Sequence, residues 1–302
     1  MGMHARKKMV SHEDVLIEAL PYIREHHDSV MVIKLGGHAI VGQGIIENVV
    51  RDIVLLRYIG IHPVIVHGGG PEITEKMKKM GKDPSFVAGL RITDDETLEI
   101  VRMVLVGNIN TKITSLLVRN GAKAVGLNGK DGGLIRARKK APQKVIYEGK
   151  EHEVDLGWVG ETEVIHPELV NIIIQHGYVP VIAPIAMDAQ GNALNLNADT
   201  VAGDMAAALH ADRLLLLTDV PGILKDTTDP STRLSSLTVG ELDELIAQDV
   251  IREGMMPKVL AAMVAVSAGV QAVHIIDGSR EHSLLLELLT AGGIGTMVMP
   301  NP

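Results

Sequence analysis

Val32-Ile33-Lys34-Leu35-Gly36-Gly37 and Val64-Ile65-Val66-His67-Gly68-Gly69-Gly70-Pro71 decide the fold of this chain. Each reads as a short apolar strand that runs straight into glycines, with an amphipathic helix behind it. Apolar strands of this kind fit a parallel sheet covered by helices on both faces. In open α/β sheets, ligands collect at the carboxyl ends of the strands. Glycine there lets backbone N–H groups come close to an anion, and the next helix adds the positive end of its dipole. Two such loops in one half of the chain point to two anions held side by side, and so to transfer of a group between them.

Outward from these loops, strand-like and helix-like runs alternate, which predicts an α/β fold with a mainly parallel central sheet. A helix is expected from about Ile45 to Ile59, with Ile46, Val49, Val50, Ile53 and Leu56 on one stripe. A second opens at Pro71, a residue favoured at the first helical position. Thr93-Asp94-Asp95-Glu96 reads as a capping box for one long helix reaching about Asn120. Between Gly129 and Ile165, short alternating runs separated by turn residues suggest β-hairpins on the sheet edge. Helix Pro167–Gln175 and strand Val179–Ile185 close the first half. The second half repeats the pattern with helix Asp199–Leu209, strand Leu214–Leu217, helices Val239–Gln248 and Pro257–Ser267, strand Ala272–Ile276 and helix His282–Thr290. The boundary between lobes is expected near Asn192, after the turn-rich Asp188-Ala189-Gln190-Gly191. Ahead of the first core strand, Ser11-His12-Glu13-Asp14 starts a helix with Val15, Leu16, Ala19, Leu20 and Ile23 on one side, which Pro21 should kink or interrupt. That helix packs on its own domain or docks on a neighbouring subunit; periodicity favours the first.

Composition narrows the function classes. The chain has 302 residues, enough for one large domain or two lobes, and aromatics are only 2%, so the core is aliphatic. A net charge of −8 argues against a nucleic-acid binder and requires local positive groups for any anionic ligand. There is no cysteine, which removes disulfides, cysteine–zinc sites and thiol catalysis. The basic start, Met1 to Lys8, is not followed by an apolar stretch of signal-peptide length, and no run could span a bilayer. A soluble, cytoplasmic protein without a membrane partner is expected. The thirteen histidines show no metal-ligand spacing, so no protein metal site is expected. His26, His27 and His166 read as surface or core residues, and no Ser-His-Asp triad can be assembled.

Neither a P-loop nor a dinucleotide fingerprint follows any strand. Lys34 stands out instead, because lysine at the end of a buried strand is rare without a partner. A snorkelling strand-end lysine and a phosphate ligand are about equally compatible with the strand alone; Gly36 and Gly37 favour the second. The run Gly68-Gly69-Gly70 reads as an anion loop or as a tight strand-to-helix turn. Arg91 could clamp a carboxylate in bidentate fashion, although a lone arginine is more often on the surface. Asn195-Leu196-Asn197-Ala198-Asp199-Thr200 offers two amides and a carboxylate at a helix start; Asn197 or Asp199 caps, and Asn195 stays free for a ligand. Leu217-Thr218-Asp219-Val220-Pro221-Gly222-Ile223-Leu224 has the turn chemistry of a nucleotide-edge loop. Gly254-Met255-Met256-Pro257-Lys258 puts a cation in the first turn of a helix, against the dipole. An anion should compensate it, a bound phosphate or Asp199.

In order along the chain, Val-Ile-Lys-Leu-Gly-Gly, Val-Ile-Val-His-Gly-Gly-Gly-Pro, Gly-Leu-Arg-Ile-Thr, Leu-Asn-Leu-Asn-Ala-Asp, Leu-Thr-Asp-Val-Pro-Gly-Ile-Leu and Gly-Met-Met-Pro-Lys resemble the motifs of the N-acetylglutamate kinases, a branch of the amino acid kinase family. The likeness covers about residues 12–300. It implies an open αβα sandwich of the carbamate kinase-like type in two lobes: a helical extension for oligomerisation over 1–28, an acetylglutamate-binding lobe over 29–191 and an ATP-binding lobe over 192–302. The implied reaction is ATP-dependent phosphorylation of the side-chain carboxylate of N-acetyl-L-glutamate, the second step of arginine biosynthesis, with Mg²⁺ carried mainly by the nucleotide phosphates. The resemblance makes Lys34 and Lys258 the pair that stabilises the transferring phosphoryl group and Asp199 the carboxylate that orients them. It gives Gly69, Gly70, Arg91 and Asn195 to the acetylated substrate. The nucleotide falls to Gly36, Gly37, Thr218, Asp219, Gly222, Leu224, Gly254 and Met255. His38 departs from the small polar residue that many members carry after the glycines. The amino-terminal helix, with Ala-Leu-Pro-Tyr-Ile, resembles that of arginine-inhibited members, which interlace into a hexamer (a trimer of dimers), and His274-Ile275-Ile276-Asp277-Gly278 resembles their arginine-site region. The same resemblance admits an N-acetyl-aminoadipate kinase or a non-catalytic arginine sensor; joint retention of Lys34, Lys258 and Asp199 argues against the sensor.

Overall fold

A computed structural model describes residues 12–36, 43–87, 89–147, 150–252 and 254–302. Gly37 and His38, together with Ser11, lie outside them. Helix α1 (His12–His26) leads into β1 (Val30–Leu35), α2 (Gln43–Tyr58), β2 (His62–His67) and α3 (Gly70–Lys79). A small ribbon, β3 (Phe86–Val87) and β4 (Leu90–Arg91), precedes α4 (Asp95–Arg102), a π-helical stretch (Met103–Asn110) and α5 (Thr111–Arg119). Strands β5 (Ala124–Asn128), β6 (Ile135–Lys139), β7 (Gln143–Tyr147), β8 (Lys150–Val154) and β9 (Gly160–Ile165) follow, then α6 (Glu168–Gln175), β10 (Val179–Ala183), β11 (Ile185–Met187) and β12 (Ala193–Asn195). The rest comprises α7 (Ala198–Ala208), β13 (Arg213–Thr218), β14 (Ser236–Thr238), α8 (Val239–Ala247), α9 (Met256–Ser267), β15 (Ala272–Asp277), α10 (Ser283–Leu288) and β16 (Thr296–Met299).

Eight strands form the central sheet in the order β14-β16-β15-β13-β1-β2-β10-β5, with only the β15–β16 pairing antiparallel. The chain builds β2, β10 and β5 to one side of β1 and then returns to build β13 and its neighbours on the other. Both glycine loops therefore leave the same end of the sheet, with Leu35 beside His67 and also beside Leu217. Successive side chains of a strand alternate between faces. Met31, Ile33 and Leu35 join the core under α2 with Ile46, Val50 and Ile53. Val32 joins the opposite core with Val64, Val66, Val201 and Met205. Lys34 shares the face of Val32 by the same alternation, and so meets the start of α7.

Several expected elements differ in detail. The long helix after Thr93 exists, but Asp94 caps it by accepting from Thr97 N at 2.8 Å, while the Thr93 hydroxyl turns back to Arg91 O. Its middle is π-helical. The strand expected over Val179–Ile185 divides at Pro184, which has no N–H for a ladder, and its halves join different sheets. The short strands after Gly129 do not extend the main sheet; β12, β11, β6 and β9 form a sheet of their own, and β7 and β8 a hairpin. Helix α1 runs through Pro21 without a break. The carbonyl that proline leaves without its helical donor belongs to Ile17, which is 69% exposed, so water can take it.

Candidate active site

Asp199 joins the two expected lysines. It sits in the first turn of α7, whose N-cap is Asn197: the Asn197 side chain accepts from Asp199 N at 2.8 Å and Thr200 N at 3.1 Å. The cap leaves the Asp199 carboxylate free, and Lys34 Nζ lies 2.7 Å from its Oδ1. Lys258 Nζ is 3.4 Å from the other oxygen and donates to Gly254 O at 3.2 Å. Lys258 thus finds the anion that its place in the first turn of α9 demands. Helices α7 and α9 come this close because residue 203 is glycine: a Cβ there would lie 2.8 Å from Ala261 O.

Burial by itself would raise the Asp199 carboxyl, but the Lys34 and Lys258 ammonium groups outweigh it and hold the pKa below its usual 3.8. One carboxylate therefore faces two cations, a local excess of positive charge in a chain whose net charge is −8. Gly36 completes this end: a Cβ on it would meet Lys34 Nζ at 2.1 Å and Leu217 O at 3.1 Å, so only glycine leaves the lysine room to lie across the strand end.

The second group gathers around β2. Arg91 is buried, and its Nη2 donates to Gly70 O at 3.0 Å and to Thr74 Oγ1 at 2.7 Å. Its Nη1 reaches Met77 Sδ, and the guanidinium lies 4.6 Å from the Phe86 ring centre. Desolvation pushes its pKa below the usual arginine value, and no carboxylate pairs with it among the described residues. Such a cation lacks an anion that a ligand can bring. Asn195 Nδ2 approaches Thr93 Oγ1 at 3.4 Å, while Asn195 N donates to Trp158 O at 2.8 Å. Arg91, Thr93 and Asn195 are thereby linked, with Asn195 four residues before Asp199 on the same segment.

The nucleotide-edge positions are less closely joined. Thr218 ends β13, and its carbonyl accepts from Gly278 N at 2.8 Å. Gly222 has φ 137°, and a Cβ there would meet Thr296 Oγ1 at 2.5 Å. Leu224 bridges to Arg233. Gly254 touches the lysine cluster through its carbonyl, with Met255 following it as the N-cap of α9. His26 is buried and His166 exposed. One link of this cluster escapes the sequence reading: Thr93, read there as part of a capping box, joins Arg91 O to Asn195 Nδ2 through its hydroxyl.

Among known proteins, the Amino acid kinase family matches residues 29–277. A protein of Methanococcoides burtonii named acetylglutamate kinase is 64% identical over 286 residues, covering 95% of this chain and 94% of that one. The N-acetylglutamate synthase of Neisseria gonorrhoeae, solved with coenzyme A and N-acetyl-glutamate, superposes with a TM-score of 0.83 at 24% identity, over 97% of this chain and 64% of that one. A carbamate kinase of Giardia shares the fold at a TM-score of 0.62 and 18% identity, over 90% and 99%.

Proposed function

The chain belongs to the amino acid kinase family, and on that premise we propose that it phosphorylates the side-chain carboxylate of N-acetyl-L-glutamate with ATP, a reading supported by the name acetylglutamate kinase that its relatives carry. The observation that carries the reading is one carboxylate, Asp199, shared by two ammonium groups at the head of a parallel sheet. A glutamyl carboxylate has a pKa of about 4.3, is already ionised, and needs no general base. The obstacle is repulsion between that anion and the triphosphate. Lys34 and Lys258 offset this repulsion, and Asp199 holds both in place. The substrate oxygen attacks the γ-phosphorus as the bond to the β,γ-bridging oxygen breaks, and ADP leaves with that electron pair. Charge gathers on the transferring oxygens, where the two ammonium groups act. Arg91 takes a substrate carboxylate, Asn195 and the Gly69–Gly70 loop orient the acyl amino acid, and Gly36, Thr218–Leu224 and Gly254–Met255 flank the nucleotide. We assign residues 29–191 to the acyl substrate and 192–302 to ATP. Mg²⁺ is read as entering on the nucleotide phosphates, whose oxygens suit a hard cation. An ADP-release assay with N-acetylglutamate, N-acetyl-aminoadipate, glutamate and aspartate tests this. Turnover with N-acetylglutamate at the highest kcat/KM is expected; preference for the longer acid, or no turnover, overturns the assignment.

Feedback by arginine belongs to the same proposal. A cavity of about 350 Å³ opens between α1 and the end of the sheet, lined among others by Tyr22, His26, Ser236, His274, Glu287 and Gly293. Burial pushes the Glu287 carboxyl up, but His274 and the backbone N–H groups of Ile294 and Gly295 hold it below its usual value, so an anion waits for a cationic ligand. On α1, Ile17 and Leu20 are exposed, which supports docking of this helix on a neighbouring subunit in a hexamer. The Glu287→Gln variant should need at least tenfold more arginine for half-inhibition, with kcat in its absence changed less than twofold. Unaltered inhibition excludes the cavity as the arginine site. No helix among the described residues is long and apolar enough to cross a membrane.

A further inference from the structure

We infer that His67 and Asn110 are a positioning pair that aims the Gly69 N–H at the acyl substrate, a step that rests on the function proposed above. Asn110 is buried at the end of the π-helical stretch, and its Nδ2 donates to Val181 O at 2.8 Å and Leu127 O at 3.2 Å. Two carbonyls on one amide end identify that end as the NH₂ group. The same Nδ2 lies 3.2 Å from His67 Nε2. Gly68 O lies 2.9 Å from Nδ1 and can only accept, so Nδ1 carries the imidazole proton. In the neutral ring Nε2 is then bare, and the second Asn110 N–H is shared between it and Leu127 O, both at 3.2 Å. Complete burial keeps the ring neutral, its pKa lowered to about 4 by desolvation.

Gly68 is thus held at both ends, since its own N–H donates to Leu35 O at 2.8 Å. Fixing the Gly68 carbonyl fixes the plane of the next peptide, and in a trans peptide the Gly69 N–H points the opposite way. Among the described residues the N–H groups of Gly69 and Gly70 meet no acceptor. Beneath them, Leu105 and Ile109 form a floor so close that a Cβ on Gly69 would fall 2.7 Å and 2.3 Å from their methyl carbons. The π-helix explains how one segment supplies both floor and polar prop. Bonding from i to i+5 stacks Asn110 over Leu105, whereas α-helical winding would carry it roughly 140° round the axis.

Two isosteric variants separate this role from simple core filling. An asparagine at 67 places its amide N–H where imidazole Nδ1 was, and keeps the bond to Gly68 O. A glutamine reaches toward Asn110 and loses it. His67→Gln should raise KM for N-acetylglutamate at least tenfold with KM for ATP within twofold, while His67→Asn stays within about threefold of wild type on both. Equal effects of the two variants, or a parallel change in both KM values, overturn the pair. Wild-type turnover of N-acetylglutamate in the same assay reports on the functional reading alone. A second readout needs neither turnover nor a folded variant: ¹⁵N NMR of histidine-labelled wild type should show His67 protonated at Nδ1 at neutral pH, and an Nε2–H tautomer overturns the inference.

Discussion

The Lys34→Met variant should turn over about 10²- to 10³-fold more slowly than wild type, with KM for either substrate changed less than about threefold. Methionine keeps the apolar stem that Lys34 lays beside Val66 and Leu216, and removes only the charge. The ammonium is enclosed, 2.7 Å from Asp199, in surroundings where water screens little. Its attraction for the phosphoryl oxygens grows as charge gathers on them, so the loss falls on kcat rather than on binding. Lys258→Ala should lower kcat more than tenfold but less than the Lys34 change. Its side chain is 15% exposed against 7% for Lys34, and it stands farther from the shared carboxylate, at 3.4 Å. Steady-state kinetics with each substrate varied in turn measures both. A Lys34→Met enzyme with kcat within threefold of wild type removes that ammonium from the transition state.

Lys34 and Lys258 were legible because each breaks a local rule. One is a charge on a buried strand, and the other a cation at a helix start. Their conflict is resolved by Asp199, which local pattern offers either as a cap or as the counter-ion of Lys258; Asn197 takes the cap and leaves Asp199 to both lysines. The central sheet was legible for a similar reason: long apolar strands carry their burial in their own sequence. Strands of mixed burial, such as β6 and β9, do not. β6, β9, β11 and β12 owe their pairing to distant partners, such as Ile135 with Ile165 and Ile185 with Asn195, and strand preference depends on such surroundings. The same holds for the site: Asn195 reaches Thr93, the neighbour of Arg91, directly and through Trp158, contacts that no sequence window contains. The π-helical stretch was hidden because Met103 to Asn110 satisfies an α-helical pattern equally well; packing against Gly69 and the bonds of Asn110 go with the wider winding.

Asp199→Asn tests the carboxylate from the other side. In the ligand-free protein it leaves two enclosed ammonium groups around a neutral amide, and removing one partner of a buried ion pair costs about 3–5 kcal/mol. A loss of stability of that size at neutral pH is the expected result in urea unfolding. ATP supplies the missing anion, so saturating nucleotide should stabilise the variant more than wild type. By the same argument, KM for ATP should be unchanged or lower while kcat collapses, because lysines freed from Asp199 bind the ground state well and are no longer aimed. Acid gives a further check. The Asp199 carboxyl is held below its usual 3.8, so its contribution is fully present above that value and is lost as pH falls through the lower folded-state pKa. The stability gap between wild type and variant should therefore be constant from pH 8 to 5 and narrow below about pH 4. A gap that persists undiminished on acidification, or a variant that ATP stabilises no more than wild type, means that Asp199 does not carry the charge balance of the two lysines.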